Sequence, residues 1–149
     1  METFEAIKRT GKGAASAEEI QKFDDTYSNL HRVDVIVTDD EHEVLSADAE
    51  VPFKYVHNNK IYKTVMEGYN DLITDSDTIH KIHSVMVTLN LNKFEQNGEA
   101  RRILLSTKNH IIVYKTENDN YWGSRVPEFD GENWVGKLLT DIIYQIEYD

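Results

Sequence analysis

Apolar residues recur along this chain with two different periods, and the switches between them mark its elements. Ser16 and Glu19 form a capping box, in which each side chain can satisfy a free backbone amide at a helix start. Ile20, Phe23, Tyr27 and Leu30 then follow at helical spacing, which predicts an amphipathic helix of about four turns. From Val33 the period falls to two. Val33, Val35 and Val37 share one face of a strand that stops at the Asp39-Asp40 turn. Val51, Phe53 and Tyr55 alternate again, and Asn58-Asn59, which tolerate positive φ, precede Ile61, so a β-hairpin is predicted.

After Lys63 the strand signal ends and three helical segments are predicted in succession. The first covers about residues 64–73. The second is capped by Ser76 or Asp77, carries Ile79, Ile82, Met86 and Leu89 on one stripe, and runs to about Phe94. The third follows the Asn97-Gly98 break and includes Ile103, Leu104 and Leu105. A short strand is expected over residues 111–114. The polar stretch from Glu117 to Asn133 contains Gly123, Pro127 and Gly131 and predicts a loop. Trp122 within it is of interest, because loops held by a scaffold commonly carry function. Val135, Leu138, Leu139, Ile142, Ile143 and Ile146 then define a strongly amphipathic closing helix. The sum is an α+β fold, mainly helical, with a small antiparallel hairpin. Internal repeats and low-complexity tracts are absent.

Composition narrows the function classes. A chain of 149 residues fits one domain, residues 1–149, able to bury roughly two thirds of its unfolded surface. The absence of cysteine excludes disulfides, thiolate metal sites and a cysteine nucleophile, and suits the cytoplasm. Residues 1–13 do not read as a signal peptide, and no run approaches the roughly 18 apolar residues of a membrane span. Twenty-seven acidic against 16 basic residues leave a net charge of −11, which opposes general nucleic-acid binding. Solubility accounts for that charge better than nucleic-acid mimicry, because the acids are scattered among lysines. His80 and His83 are three apart on a predicted helix but lack an acidic third ligand at matching spacing, and Gly11-Lys12-Gly13 lacks the strand a phosphate loop requires. Neither metal nor cofactor is expected.

From Val85 to Ile146 the order of residues resembles the NADAR family, which has the YbiA-like fold. The resemblance is carried by Val85-Met86, Lys93-Phe94 with Gln96-Asn97, Leu104-Leu105 with Thr107, Asp119 three residues before Trp122-Gly123, and Gly131, Asn133 and Gly136-Lys137-Leu138-Leu139. A fainter continuation upstream, through Leu45-Ser46, Pro52-Phe53, Tyr62 and Thr64-Val65, extends it to residues 45–146 and leaves residues 1–40 as a private extension.

The resemblance implies a mainly helical fold cupping a site for a ribosylated small molecule. It also implies cleavage of a ribose C1–N bond, in ADP-ribosylated guanine or in a phosphoribosylamino intermediate of riboflavin synthesis. By the same resemblance Glu67 and Asp119 are the candidate catalytic carboxylates, and Trp122 and Gly123 the wall on which a base stacks. Asn133 is either a ribose-binding residue or the cap of the last helix, and Lys93 and Lys137 are candidate phosphate-binding charges. Three positions depart from the family. With Thr64-Val65 and Tyr69 setting the register, Met66 stands where many members carry the catalytic glutamate, and only a slip of one residue puts Glu67 there. Tyr114 and Ile143 replace an acid and an arginine. The expectation is therefore a divergent member that binds a nucleotide-like ligand, or a partner protein such as a host protein if virus-encoded, with catalysis impaired. The alternative is an active N-glycosidase.

Overall fold

A computed structural model describes residues 35–147. The helix expected around Ser16 to Leu30, and Val33 of the first strand, lie outside the described residues. Strand β1 (Val35–Val37) leads into a 3-10 helix (Asp40–Leu45), followed by β2 (Phe53–Lys54) and β3 (Ile61–Tyr62). Then come helices α1 (Val65–Leu72), α2 (Ile79–Gln96) and α3 (Gly98–Ser106), strand β4 (Ile111–Val113) and helix α4 (Trp134–Glu147).

The expected hairpin forms. Phe53 pairs with Tyr62 and Lys54 with Ile61 in antiparallel register, and Asn59 in the turn has φ 62°. Two polar side chains of α2 complete its backbone bonding. Gln96 brackets Lys54, accepting from its amide at 2.7 Å and donating to its carbonyl at 2.7 Å, while Asn92 accepts from Val56 N at 2.9 Å. A two-stranded hairpin is marginal alone, so these bonds seat it on the helix.

A second sheet, which the hydrophobic pattern does not predict, joins the first and last strands. β1 and β4 run parallel, with Val35 opposite Ile111, Ile36 opposite Ile112 and Val37 opposite Val113. Parallel pairs need a long crossover, and here the hairpin and three helices supply it. The cap of α2 also differs from expectation. Thr78, in extended conformation, accepts from Lys81 N at 3.2 Å, while Asp77 turns back to Thr74 N at 2.8 Å and to the Lys81 ammonium at 3.0 Å.

All six apolar positions of the closing helix are buried, as its periodicity predicts, against Leu45, Met86, Leu89, Phe94 and Leu104. Gly136 lets α4 close on β4. A Cβ there would lie 2.0 Å from the carbonyl oxygen of Ile112, so any larger residue forces strand and helix apart. Among the described residues no helix is long and apolar enough to cross a membrane.

Candidate functional site

A cleft of about 480 Å³ opens where the start of α1 meets the segment after β4. It is lined by Asp48, by Met66 and Asn70 of α1, by Tyr114 just after β4, and by Lys115 through Asp119. Its position follows from two local arrangements. Met66 N donates to Ala47 O at 3.0 Å, so the first turn of α1 is pinned beside the segment carrying Asp48. Ser46 Oγ accepts from Asp48 N at 3.1 Å and shapes the turn that exposes the carboxylate.

Tyr114 donates its hydroxyl to Asp48 Oδ2 at 2.7 Å. Burial pushes the phenol well above its ordinary pKa, and the neighbouring Asp48 carboxylate adds to that, so the hydroxyl stays protonated and keeps donating. Thus Tyr114, standing where the resemblance leads one to expect an acid, holds an acid from elsewhere in the chain. Asp48 carries no motif of its own, and only the Ser46 turn hints at an ordered carboxylate.

Asp119 also lines the cleft, and its Oδ1 is engaged by two backbone amides, Tyr121 N at 3.0 Å and Trp122 N at 2.8 Å. Its carbonyl accepts from Thr116 Oγ1 at 2.7 Å. The carboxylate therefore fixes the turn that delivers Trp122. That indole is only 4% exposed and meets Tyr69 and Tyr121 edge-on, with ring centroids 5.5 and 4.9 Å apart. Gly123 permits the close return of the loop, since a Cβ there would lie 2.4 Å from Tyr114 O.

The remaining candidates lie apart from the cleft lining. Glu67 is exposed, its amide bonded to Thr64 Oγ1 at 3.0 Å and its carboxylate accepting from Lys63 N at 3.3 Å, an arrangement akin to a capping box. Asn133 is 1% exposed, with φ 57°; its amide accepts from Tyr114 N at 2.9 Å and donates to Ile112 O at 2.8 Å. It thereby acts as a substitute neighbour for β4, on the side away from β1. Lys93 is wholly buried and donates to Ser46 O at 2.8 Å. Burial brings its pKa down to about 7, with Asp48 pulling the other way. The Lys137 ammonium, in a side chain 2% exposed, lies 4.2 Å from the centroid of the Trp134 ring.

His83 packs among Tyr121, Trp122 and Trp134 and shares a hydrogen bond with the Tyr121 hydroxyl. Burial lowers its pKa, which favours the neutral ring, while His80 on the same helix is exposed. Among the described residues no group of three or more His, Asp or Glu side chains is placed to hold a metal.

A mainly helical α+β scaffold with a carboxylate-lined cleft beside an aromatic loop defines the class of protein. The NADAR-domain profile matches residues 71–147, just over half of the chain, and the chain belongs to that family. The solution structure of the Escherichia coli protein YbiA superposes with a TM-score of 0.64 over 80% of this chain and 88% of that one, at 24% identity. The N-glycosidase YbiA of E. coli K12 is 43% identical over 54 residues, as is its counterpart in Shigella flexneri serotype 5b. In each case the aligned segment spans 36% of this chain and 33% of the relative, about a third of either protein.

Proposed function

We propose that the cleft binds a ligand in which ribose is joined to nitrogen, and that this chain holds such a ligand with little capacity to cleave it. One observation carries the reading: the side chain lining the cleft from the first turn of α1 is Met66, while Glu67 is turned into the helix cap. Cleaving a C1–N bond requires a carboxylate to stabilise an oxocarbenium-like transition state or activate water, and a way to protonate the departing nitrogen. A thioether does neither. Asn70, Thr116 and Asn118 line the same cleft and supply hydrogen-bonding groups suited to ribose hydroxyls.

A second reading, an active N-glycosidase as the YbiA relatives are named, is favoured by one specific feature. Asp48 and Asp119 line one cleft, and Tyr114 fixes the orientation of Asp48. In that reading Asp48 replaces the carboxylate that α1 does not provide. Candidate substrates are ADP-ribosylated guanine and a phosphoribosylamino intermediate. Incubation of the full chain with N-ribosides, following binding by calorimetry and base release by chromatography, separates the two. Binding without turnover supports the first. Turnover abolished by Asp48→Asn establishes the second.

A further inference from the structure

Resting on the ribosyl-binding reading above, we infer that Lys93 is a positioning residue of the cleft. From within the core it holds the turn that carries Asp48, so ligand affinity depends on a side chain that does not itself line the cavity.

Helical spacing puts Lys93 on the apolar stripe of α2, seven positions after Met86 and four after Leu89, and all three side chains are 0% exposed. A hydrophobe is the less costly choice at such a position, because an ammonium loses its hydration there. Burial accordingly brings the pKa of Lys93 down to about 7, with the Asp48 carboxylate opposing the shift. What the lysine adds over a hydrophobe is a donor at the end of a long stem. Its ammonium reaches Ser46 O, 47 positions away in the chain, at 2.8 Å.

Ser46 begins a β-turn. The carbonyl that meets Lys93 also accepts from Ala49 N at 3.1 Å, which closes the turn, and Ser46 Oγ accepts from Asp48 N at 3.1 Å. Ser46, Ala47 and Ala49 are buried, so Asp48 is the residue that this turn exposes, and it lines the cleft. Three neighbouring segments fix where its carboxylate stands. Helix α2 holds the turn through Lys93, α1 through the Met66 amide on Ala47 O at 3.0 Å, and the end of β4 through the Tyr114 hydroxyl on Asp48 Oδ2 at 2.7 Å. Without the lysine, Ser46 O keeps Ala49 N, so the turn persists locally but loses its attachment to α2. A ligand that bonds Asp48 must then order the turn as it binds, which lowers affinity.

The test uses the full chain and two N-ribosyl probes, ADP-ribosylated guanosine and guanosine 5′-monophosphate, with calorimetry for affinity and amide hydrogen exchange for the turn. Lys93→Met keeps an apolar stem and removes the donor. It should weaken whichever probe the native chain binds by at least about fivefold. The Asp48 and Ala49 amides should exchange at least about tenfold faster, with the amides of α4 unchanged. A residue serving stability alone would instead speed exchange throughout the core. Native affinity in a folded Lys93→Met chain overturns the inference and leaves the ribosyl-binding reading intact. A loss of affinity with exchange raised everywhere, or unchanged at the turn, overturns it too. Where circular dichroism shows that Lys93→Met does not fold, Ser46→Ala decides, because it loosens the same turn without touching the core charge: affinity at least about twofold lower supports the inference and native affinity overturns it. If neither probe binds the native chain, the ribosyl-binding reading falls and takes this inference with it.

Discussion

Replacing Met66 by glutamate puts a carboxylate into the cleft from the first turn of α1. The Met66 amide is tied to Ala47 O at 3.0 Å, so residue 66 is held next to the turn bearing Asp48 and its side chain projects into the same space. Three acids already line that space, Asp48, Glu117 and Asp119. A fourth carboxylate in a half-buried position beside them is disfavoured in its ionised form, and its pKa rises toward the range where it can both accept and donate a proton near neutrality. A positioned acid–base group contributes about 10²- to 10⁴-fold. At about 1.4 kcal/mol per factor of ten, that is about 3–5 kcal/mol of transition-state stabilisation. Met66→Glu should therefore raise the rate of base release from an N-riboside at least a hundredfold over the native chain, with the ligand dissociation constant changed far less. The assay is chromatography of released base under single-turnover conditions, beside calorimetry and circular dichroism to show that the variant folds and binds. The reasoning is refuted if a folded, ligand-binding Met66→Glu chain turns over no faster than the native one. It is equally refuted if the native chain already hydrolyses the riboside at an ordinary enzymatic rate.

Further outcomes follow from the same geometry. Glu67→Gln keeps the Thr64 cap and lies outside the cleft lining, so ligand affinity should change less than about twofold and stability by less than about 0.5 kcal/mol, read by calorimetry and denaturant titration. Asn133→Ala strips two buried hydrogen bonds from β4, leaving Tyr114 N and Ile112 O without these partners, and places alanine at φ 57°; a loss of about 3 kcal/mol in urea unfolding is expected, against near neutrality for a residue that only touched ligand. The Lys93 ammonium keeps its proton to about pH 10.5 when the chain is unfolded but only to about 7 in the fold, so the unfolded state binds more protons between those values and stability contributed by this group rises with pH across that window. Lys93→Met should flatten the rise of Tm between pH 7 and 10 in a thermal melt series. Gly136→Ala should cost about 2–3 kcal/mol by forcing α4 off β4, whereas Gly98→Ala, whose added methyl meets nothing within 4 Å, should be harmless or stabilising.

Much of the scaffold was legible along the chain because its signals are local. The hairpin turn at Asn59, the break at Gly98 and the six apolar positions of α4 each rest on residues within a few positions of one another. The family resemblance worked the same way, through short blocks such as Asp119, Trp122-Gly123 and Gly136-Lys137, and it located the loop that walls the cleft.

The pairing of β1 with β4 was not legible, since three-residue strands with 73 positions between them leave no local trace of partnership. Nor was the cleft's own composition. Asp48 becomes a site residue only when Tyr114, 66 positions away, donates to it. Glu67 and Met66 are adjacent in sequence, yet one helical step of about 100° sends the first to the cap and the second into the cavity. Lys93 and Lys137, candidate phosphate-binding charges by the family resemblance, are buried in the fold, because their neighbours at helical spacing are core residues. The sequence by itself determined the hairpin, the helices that follow it, the strand and closing helix after them, and the family. Which side chains face one another across the cleft, and with what charge, was decided by long-range packing, which sets side-chain direction where local periodicity cannot.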